Sequence, residues 1–175
     1  MLSVTVRFLS FLRRLSGLAP ATSDPIDHLA RDIEGLPPER ARFIAAFAFL
    51  LSRIAAADHE VTADEADTLE RMVREKGGLP AAQAAAVVQH ARTHQQRSGG
   101  TDDFLVTREF AQTASYDEKL ALIDCLFAVA ASDTRIRTTE SNEIGRIATG
   151  LRVEQRDLSR IRNQYRAFLA ARTVE

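Results

Sequence analysis

The thirteen residues from Asp58 to Glu70 hold six acids, Asp58, Glu60, Asp64, Glu65, Asp67 and Glu70, and no Lys or Arg. Carboxylate oxygens gathered in and beside a turn suit a hard divalent cation such as Ca²⁺ or Mg²⁺. The spacing is not that of an EF-hand: counted from Asp58, the sixth position is Ala63 rather than Gly and the twelfth is Leu69 rather than Glu. A second use competes with the first. Thr62-Ala63-Asp64-Glu65 has the pattern of a capping box, and acids in a first helical turn are favoured by the helix dipole.

Other reactive residue types are sparse. His90 and His94 stand four apart and share a helix face, as in zinc sites, but the residue after His90 is Ala91, so the Glu of a metalloprotease helix is missing. The single Cys, Cys125, lies in an apolar helical run with no adjacent base to activate it, and is expected to be a buried small residue. There is no Gly-rich phosphate loop and no nucleophile elbow. Arg152, Arg156, Arg160, Arg162, Arg166 and Arg172 give the last helix a basic face, expected to be solvated.

Helices must position these groups, because the apolar residues recur with helical period and no stretch alternates with period two. Residues 4 to 18 place Val4, Phe8, Phe11, Leu12, Leu15 and Leu18 on one stripe, with three Arg and no acid before Asp24. That segment suits a peripheral membrane contact or docking on the protein's own body. A short helix is expected from Pro25 to Glu34, and a longer one, apolar nearly all round and therefore buried, from Pro38 to the first acidic turn. Helices then follow from Thr62 to about Lys76, Pro80 to about Gln95, and through "DDFLVTREFAQTA". A second capping box, Ser115 to Glu118, opens the next, and helices at about 138–149 and 153–171 complete the chain.

The second half repeats the first. At an offset of 75, residues 47–73 align with 122–148 without a gap, and Leu51, Ala55, Ala56, Asp58, Glu65 and Arg71 recur as Leu126, Ala130, Ala131, Asp133, Glu140 and Arg146. Arg135 replaces the acid at Glu60, where it is expected either to neutralise its own turn or to pair with the acids of the other. The expectation is an all-α helical bundle of two helix–acidic turn–helix repeats, about 38–97 and 102–172, related by a pseudo-two-fold. They lie in one domain covering 23–175, after an amphipathic helix and linker at 1–22.

Length and composition agree with one soluble domain: 175 residues, 45% hydrophobic and 27% charged, with a net charge of −1. One Cys excludes an internal disulfide and a multi-Cys zinc site. No apolar run reaches the ~20 residues of a membrane span. The near-zero net charge gives no global argument for nucleic acid, which is not an expected partner.

At the paired turns, "RIAAADHEVTADEADTLERMV" and "FAVAASDTRIRTTESNEIGRIATGL", the sequence resembles the TerB family of tellurite-resistance proteins. It is especially similar to the family's small bacterial members, which are related to the N-terminal domain of the membrane-anchored co-chaperone DjlA. The family pattern is an apolar helix ending Ala-x-Ala-Asp-Gly-x-Ile/Val, then a spaced Glu and a helix; "DDFLVTREF" resembles the connecting helix of the small members. The resemblance covers about residues 38–168. It implies a non-enzymatic stress-response binding module of tellurite-resistance type, cytoplasmic or peripheral to the inner membrane. Such a module presents an acidic surface to a protein partner, itself membrane-associated. It also implies Asp58, Glu60, Glu65, Asp133 and Glu140 as the positions for a divalent cation, Ca²⁺ or Mg²⁺. The alternative it carries is a membrane-peripheral scaffold or co-chaperone-related domain anchored through residues 2–18. Two departures stand out. The family Gly after Asp is His59 in one turn and Thr134 in the other, so a bend that favours positive φ is reshaped or strained. No His-Pro-Asp signature is present, so stimulation of a chaperone partner is not implied.

Overall fold

Pro37-Pro38 fixes the start of the helix around which the molecule is built, because a proline in the first turn forgoes an amide that has no helical partner there. In the computed structural model the described residues are 25–31, 33–57, 62–98, 100–132 and 134–169. They form α1 (Pro25–Arg31), α2 (Pro38–Ala55), α3 (Ala63–Gly77), α4 (Ala81–Ser98), α5 (Gly100–Thr113), α6 (Tyr116–Ala130), α7 (Thr138–Gly150) and α8 (Gln155–Gln164). The fold is all-α; the one β-type contact among the described residues is an isolated bridge between Ile136 and Leu169. The amphipathic segment expected at 1–22 lies outside the described residues.

α2 is apolar on nearly every face and is covered accordingly, by α1, α3, α4, α5, α6 and α7. Phe49, Leu50, Leu51 and Ile54 are fully buried in it, and its one buried hydroxyl, Ser52, is satisfied by donating to the Ala48 carbonyl at 2.8 Å. α6 is the second buried helix, with Leu122, Ile123, Leu126 and Phe127 inside, and it carries α7, α8 and one side of α3. Arg42 of α2 ties the periphery down, pairing with Asp27 of α1 and, at 2.7 Å, with Glu109 of α5.

Both expected capping boxes form. The Thr62 hydroxyl accepts from the Glu65 amide at 3.2 Å while Glu65 Oε2 accepts from the Thr62 amide at 2.8 Å; Ser115 and Glu118 repeat the exchange at 3.3 and 2.8 Å. α3 ends where glycine permits, with Gly78 at φ +69° and its amide on the Arg74 carbonyl.

The two acidic turns begin alike. Ala56 and Ala131, equivalent at the offset of 75, close α2 and α6 with φ, ψ of −94°, −5° and −90°, −4°. Their amides bond to the equivalent carbonyls of Ser52 and Phe127, and the next amides to Ile54 and Val129. The second turn then enters the left-handed region at Thr134, φ +74°, the position where the resembling family has Gly. A β-branched residue is strained there, by roughly 1–2 kcal/mol. Thr134→Gly is therefore expected to stabilise the protein by about 1 kcal/mol, raising the melting temperature by about 2–4 °C. An unchanged or lower melting temperature by circular dichroism would mean that the turn carries no such strain.

The last helix is shorter than its apolar period suggests. It stops at Gln164 instead of running to 171, and Tyr165–Leu169 turn back so that the Ile136 amide bonds to the Phe168 carbonyl at 2.7 Å. The competing bond is tertiary: the Tyr165 hydroxyl donates to the carboxylate of Asp124, 3.0 Å away, and its ring stacks on Phe127. Periodicity along the chain carries no trace of these contacts.

Candidate functional site

Glu65 and Glu140 occupy the same place in the two halves. Each is the third residue of the helix that follows a turn, each is fully buried, and each uses one carboxylate oxygen to accept the amide three residues back, Thr62 at 2.8 Å and Arg137 at 2.6 Å. Glu65 Oε2 also receives the Thr62 hydroxyl at 3.1 Å. Its other oxygen, Oε1, is sealed from solvent and accepts no hydrogen bond from the described residues. A buried carboxylate oxygen left in that state is costly, on the order of 1–3 kcal/mol or more. Capping therefore accounts for half of this carboxylate and leaves the other half to be explained.

Of the remaining expected ligands, Asp58, Glu60 and Asp133 lie outside the described residues. Among the described residues, no group of three or more His, Cys, Asp or Glu side chains is close enough to hold a metal ion. Asp64 and Asp67 are exposed on α3. His94 is half-buried, edge-on to Phe49 with ring centroids 5.9 Å apart, and its Nδ1 lies 3.7 Å from Asp102. Cys125 is 2% exposed, and burial pushes its thiol up to about 11. It should react with iodoacetamide only after unfolding; rapid labelling of the folded protein would contradict that placement.

Sequence reading missed a polar cluster beside the first turn. Arg53 interrupts the apolar run of α2, and its guanidinium pairs with Glu143 of α7, lies 3.5 Å from Asp103 of α5 and donates to Thr107 at 2.9 Å. Only about a tenth of either Arg53 or Glu143 is exposed. Gln95 of α4 donates to Asp103 at 2.9 Å, and Arg146 reaches Glu143 from the solvent side at 3.3 Å. Arg53, Gln95, Asp103, Glu143 and Arg146 line a cleft of about 290 Å³ together with Ala56 and Ala57, where the first turn begins. Gly150 admits Thr107 to the cluster, since a Cβ there would stand 2.6 Å from the threonine methyl. The signal was available: Arg53 is the one charged residue in the apolar run from Phe43 to Ala57, and a cation so placed must find a buried anion. Its partner, 90 residues away, was not.

Two buried helices covered by the others, each leading into an acidic turn followed by a buried glutamate, define an all-helical class of domain whose distinctive residues lie at its bends. The chain matches the family of tellurite resistance protein TerB over residues 44–163, and it belongs to that family. No similarity to a curated protein or to a solved structure stands beside that match.

Proposed function

We propose that the protein is a non-enzymatic binding module of the tellurite-resistance type, which presents its acidic turns to a protein partner and holds a divalent cation, Ca²⁺ or Mg²⁺, at the first of them. The observation that carries this reading is the buried Glu65 Oε1, without a hydrogen-bond donor among the described residues, next to a turn whose sequence supplies Asp58 and Glu60. Hard oxygen donors of that kind fit a hard cation, which would satisfy the orphaned oxygen and screen the mutual repulsion of the turn's carboxylates. Glu140 and Asp133 supply the equivalent positions in the second turn, where Arg135 adds a positive charge and disfavours a second ion. Such a surface recognises by charge. A cation bridging turn and partner would make the contact depend on the ion.

Isothermal titration with Ca²⁺, Mg²⁺, Mn²⁺ and Zn²⁺, comparing the wild type with Asp58→Asn/Glu65→Gln, tests the ion. Heat and thermal stabilisation in the wild type, lost in the double variant, are expected. Neither effect at millimolar ion would remove the cation from the account.

A second reading rests on the acid-free, Arg-bearing stripe at residues 2–18, which suits a peripheral contact with a membrane surface. No helix of the described residues is long and apolar enough to cross a membrane. Co-sedimentation of the full chain with vesicles, against a chain beginning at Thr22, decides it; equal partitioning would reject the anchor.

A further inference from the structure

The charge of the chain is unevenly placed. Residues 25–150 hold fourteen Lys and Arg against twenty Asp and Glu, a net −6, whereas residues 151–169 hold five Arg against two acids, a net +3. The structure gathers that excess on one face. Every exposed residue from Gln155 to Arg166 is Arg, Gln, Asn or Ser, with exposed Glu154 before the stretch and exposed Phe168 after it. The two acids of the segment lie to one side. Glu154 precedes the helix, and Asp157 is turned toward α6, where the Tyr116 hydroxyl donates to it at 2.9 Å. Arg156 and Arg160 lean on these acids, at 2.8 and 3.3 Å, in surface pairs that are worth little and exchange readily. Arg152, Arg162 and Arg166 are exposed and make no ion pair with any of the described residues.

The helix is also set in a particular way. α7 ends at Gly150, and four residues, Leu151 to Glu154, turn the chain into α8, with Arg152 in the left-handed conformation at φ +59°. Ile147, Ala148, Leu151 and Ile161 are buried around this corner, and Val153 and Leu158 partly so. A helix, a tight turn and a second helix with an exposed outer face is a connectivity by which many proteins lay a helix into the major groove, and here it is α6, rather than α7, that supports α8 from behind.

We propose that the outer face of α8 docks on duplex DNA, with Arg152, Arg162 and Arg166 on phosphates and Gln155, Arg156 and Ser159, in the N-terminal half of the helix, toward the base edges. Three observations favour this occupant. A membrane-surface helix needs an apolar side to bury in lipid, and that side of α8, Leu158, Ile161 and Tyr165, is already packed within the fold. Guanidinium, amide and hydroxyl groups are the donors that meet phosphates and groove edges. The B-form major groove, about 12 Å wide, admits a helix, whereas the A-form groove of RNA does not. The basic face is not a by-product of the corner, because the comparable corner of α3 and α4, with Gly78 in the left-handed position, exposes Ala81, Ala82, Ala86 and Gln89.

Fluorescence anisotropy of a labelled duplex of about 24 base pairs, titrated with the full chain at about 50 and 200 mM salt, tests it. Binding that weakens steeply with salt is expected. Arg162→Gln/Arg166→Gln should weaken it at least about tenfold at the lower salt and reduce the salt slope by about two. Arg74→Gln/Arg97→Gln, equal in charge change but distant in sequence, should leave it alone. Both residues of the test pair are exposed, and unchanged far-ultraviolet circular dichroism confirms that the variant is folded. No duplex binding at about 50 mM salt would overturn the proposal, as would equal binding by the folded α8 variant. So would transfer of the Arg-dependent binding to vesicles containing phosphatidylglycerol, or to self-association of the chain seen by sedimentation.

Discussion

Phe110→Ala is expected to destabilise the protein by roughly 3–5 kcal/mol, the largest effect of any single substitution considered. Phe110 is completely buried, and its ring stacks on Phe43 of α2 with centroids 5.1 Å apart. It is what fastens the connecting helix α5 to the centre of the fold. Truncation removes the transfer energy of a whole ring and leaves a cavity between two helices that other contacts hold in place, so little of it can collapse. At about 2–4 °C per kcal/mol for a chain of this size, the melting temperature should fall by about 6–20 °C. Phe104→Ala, six residues earlier on the same helix, is the contrast. That ring is 65% exposed beneath the guanidinium of Arg108, and its loss should change stability by no more than about 0.5 kcal/mol. Equal effects of the two substitutions would mean that α5 sits in a different rotation.

The second large effect comes from charge. Glu143→Ala should destabilise by roughly 3 kcal/mol, because it strands the Arg53 guanidinium where only about a tenth of it meets water. Asp103, 3.5 Å away, keeps part of the compensation and holds the cost below the full price of a buried orphan charge. Arg146→Gln touches the same glutamate from outside, with 78% of the arginine side chain in solvent, and should cost less than about 1 kcal/mol. Thermal melts of the two variants side by side distinguish a buried lock from a surface decoration. A small loss in Glu143→Ala would show that water reaches Arg53 in solution.

Local rules made much of this architecture legible before any coordinates. Thr62 and Ser115, each three residues ahead of a glutamate, announce the starts of α3 and α6, since the chemistry of a capping box is complete within four residues. Gly78 marks the end of α3 for an equally local reason. The family resemblance located the bends and, through the missing glycine, the strained backbone of Thr134. What escaped was tertiary. The bond from Tyr165 to Asp124, 41 residues apart, stops α8 early, and the Arg53–Glu143 pair joins α2 to α7. Arg137 opens α7 without a capping side chain of its own, so only the backward reach of Glu140 marks that start. The candidate site divides in the same way. The positions of Glu65 and Glu140 in the first turns of α3 and α7 follow from local spacing, whereas their complete burial is a property of packing that sequence spacing does not encode.

Cation binding at the acidic turns, as proposed, is read from an amide correlation spectrum of isotopically labelled protein titrated with Ca²⁺ or Mg²⁺. Saturable shifts are expected at residues 57–65, with smaller ones at 132–140, and their loss in Glu65→Gln. Shifts spread equally over exposed acids elsewhere, such as Asp117 at the start of α6, or no shifts at millimolar ion, would contradict it.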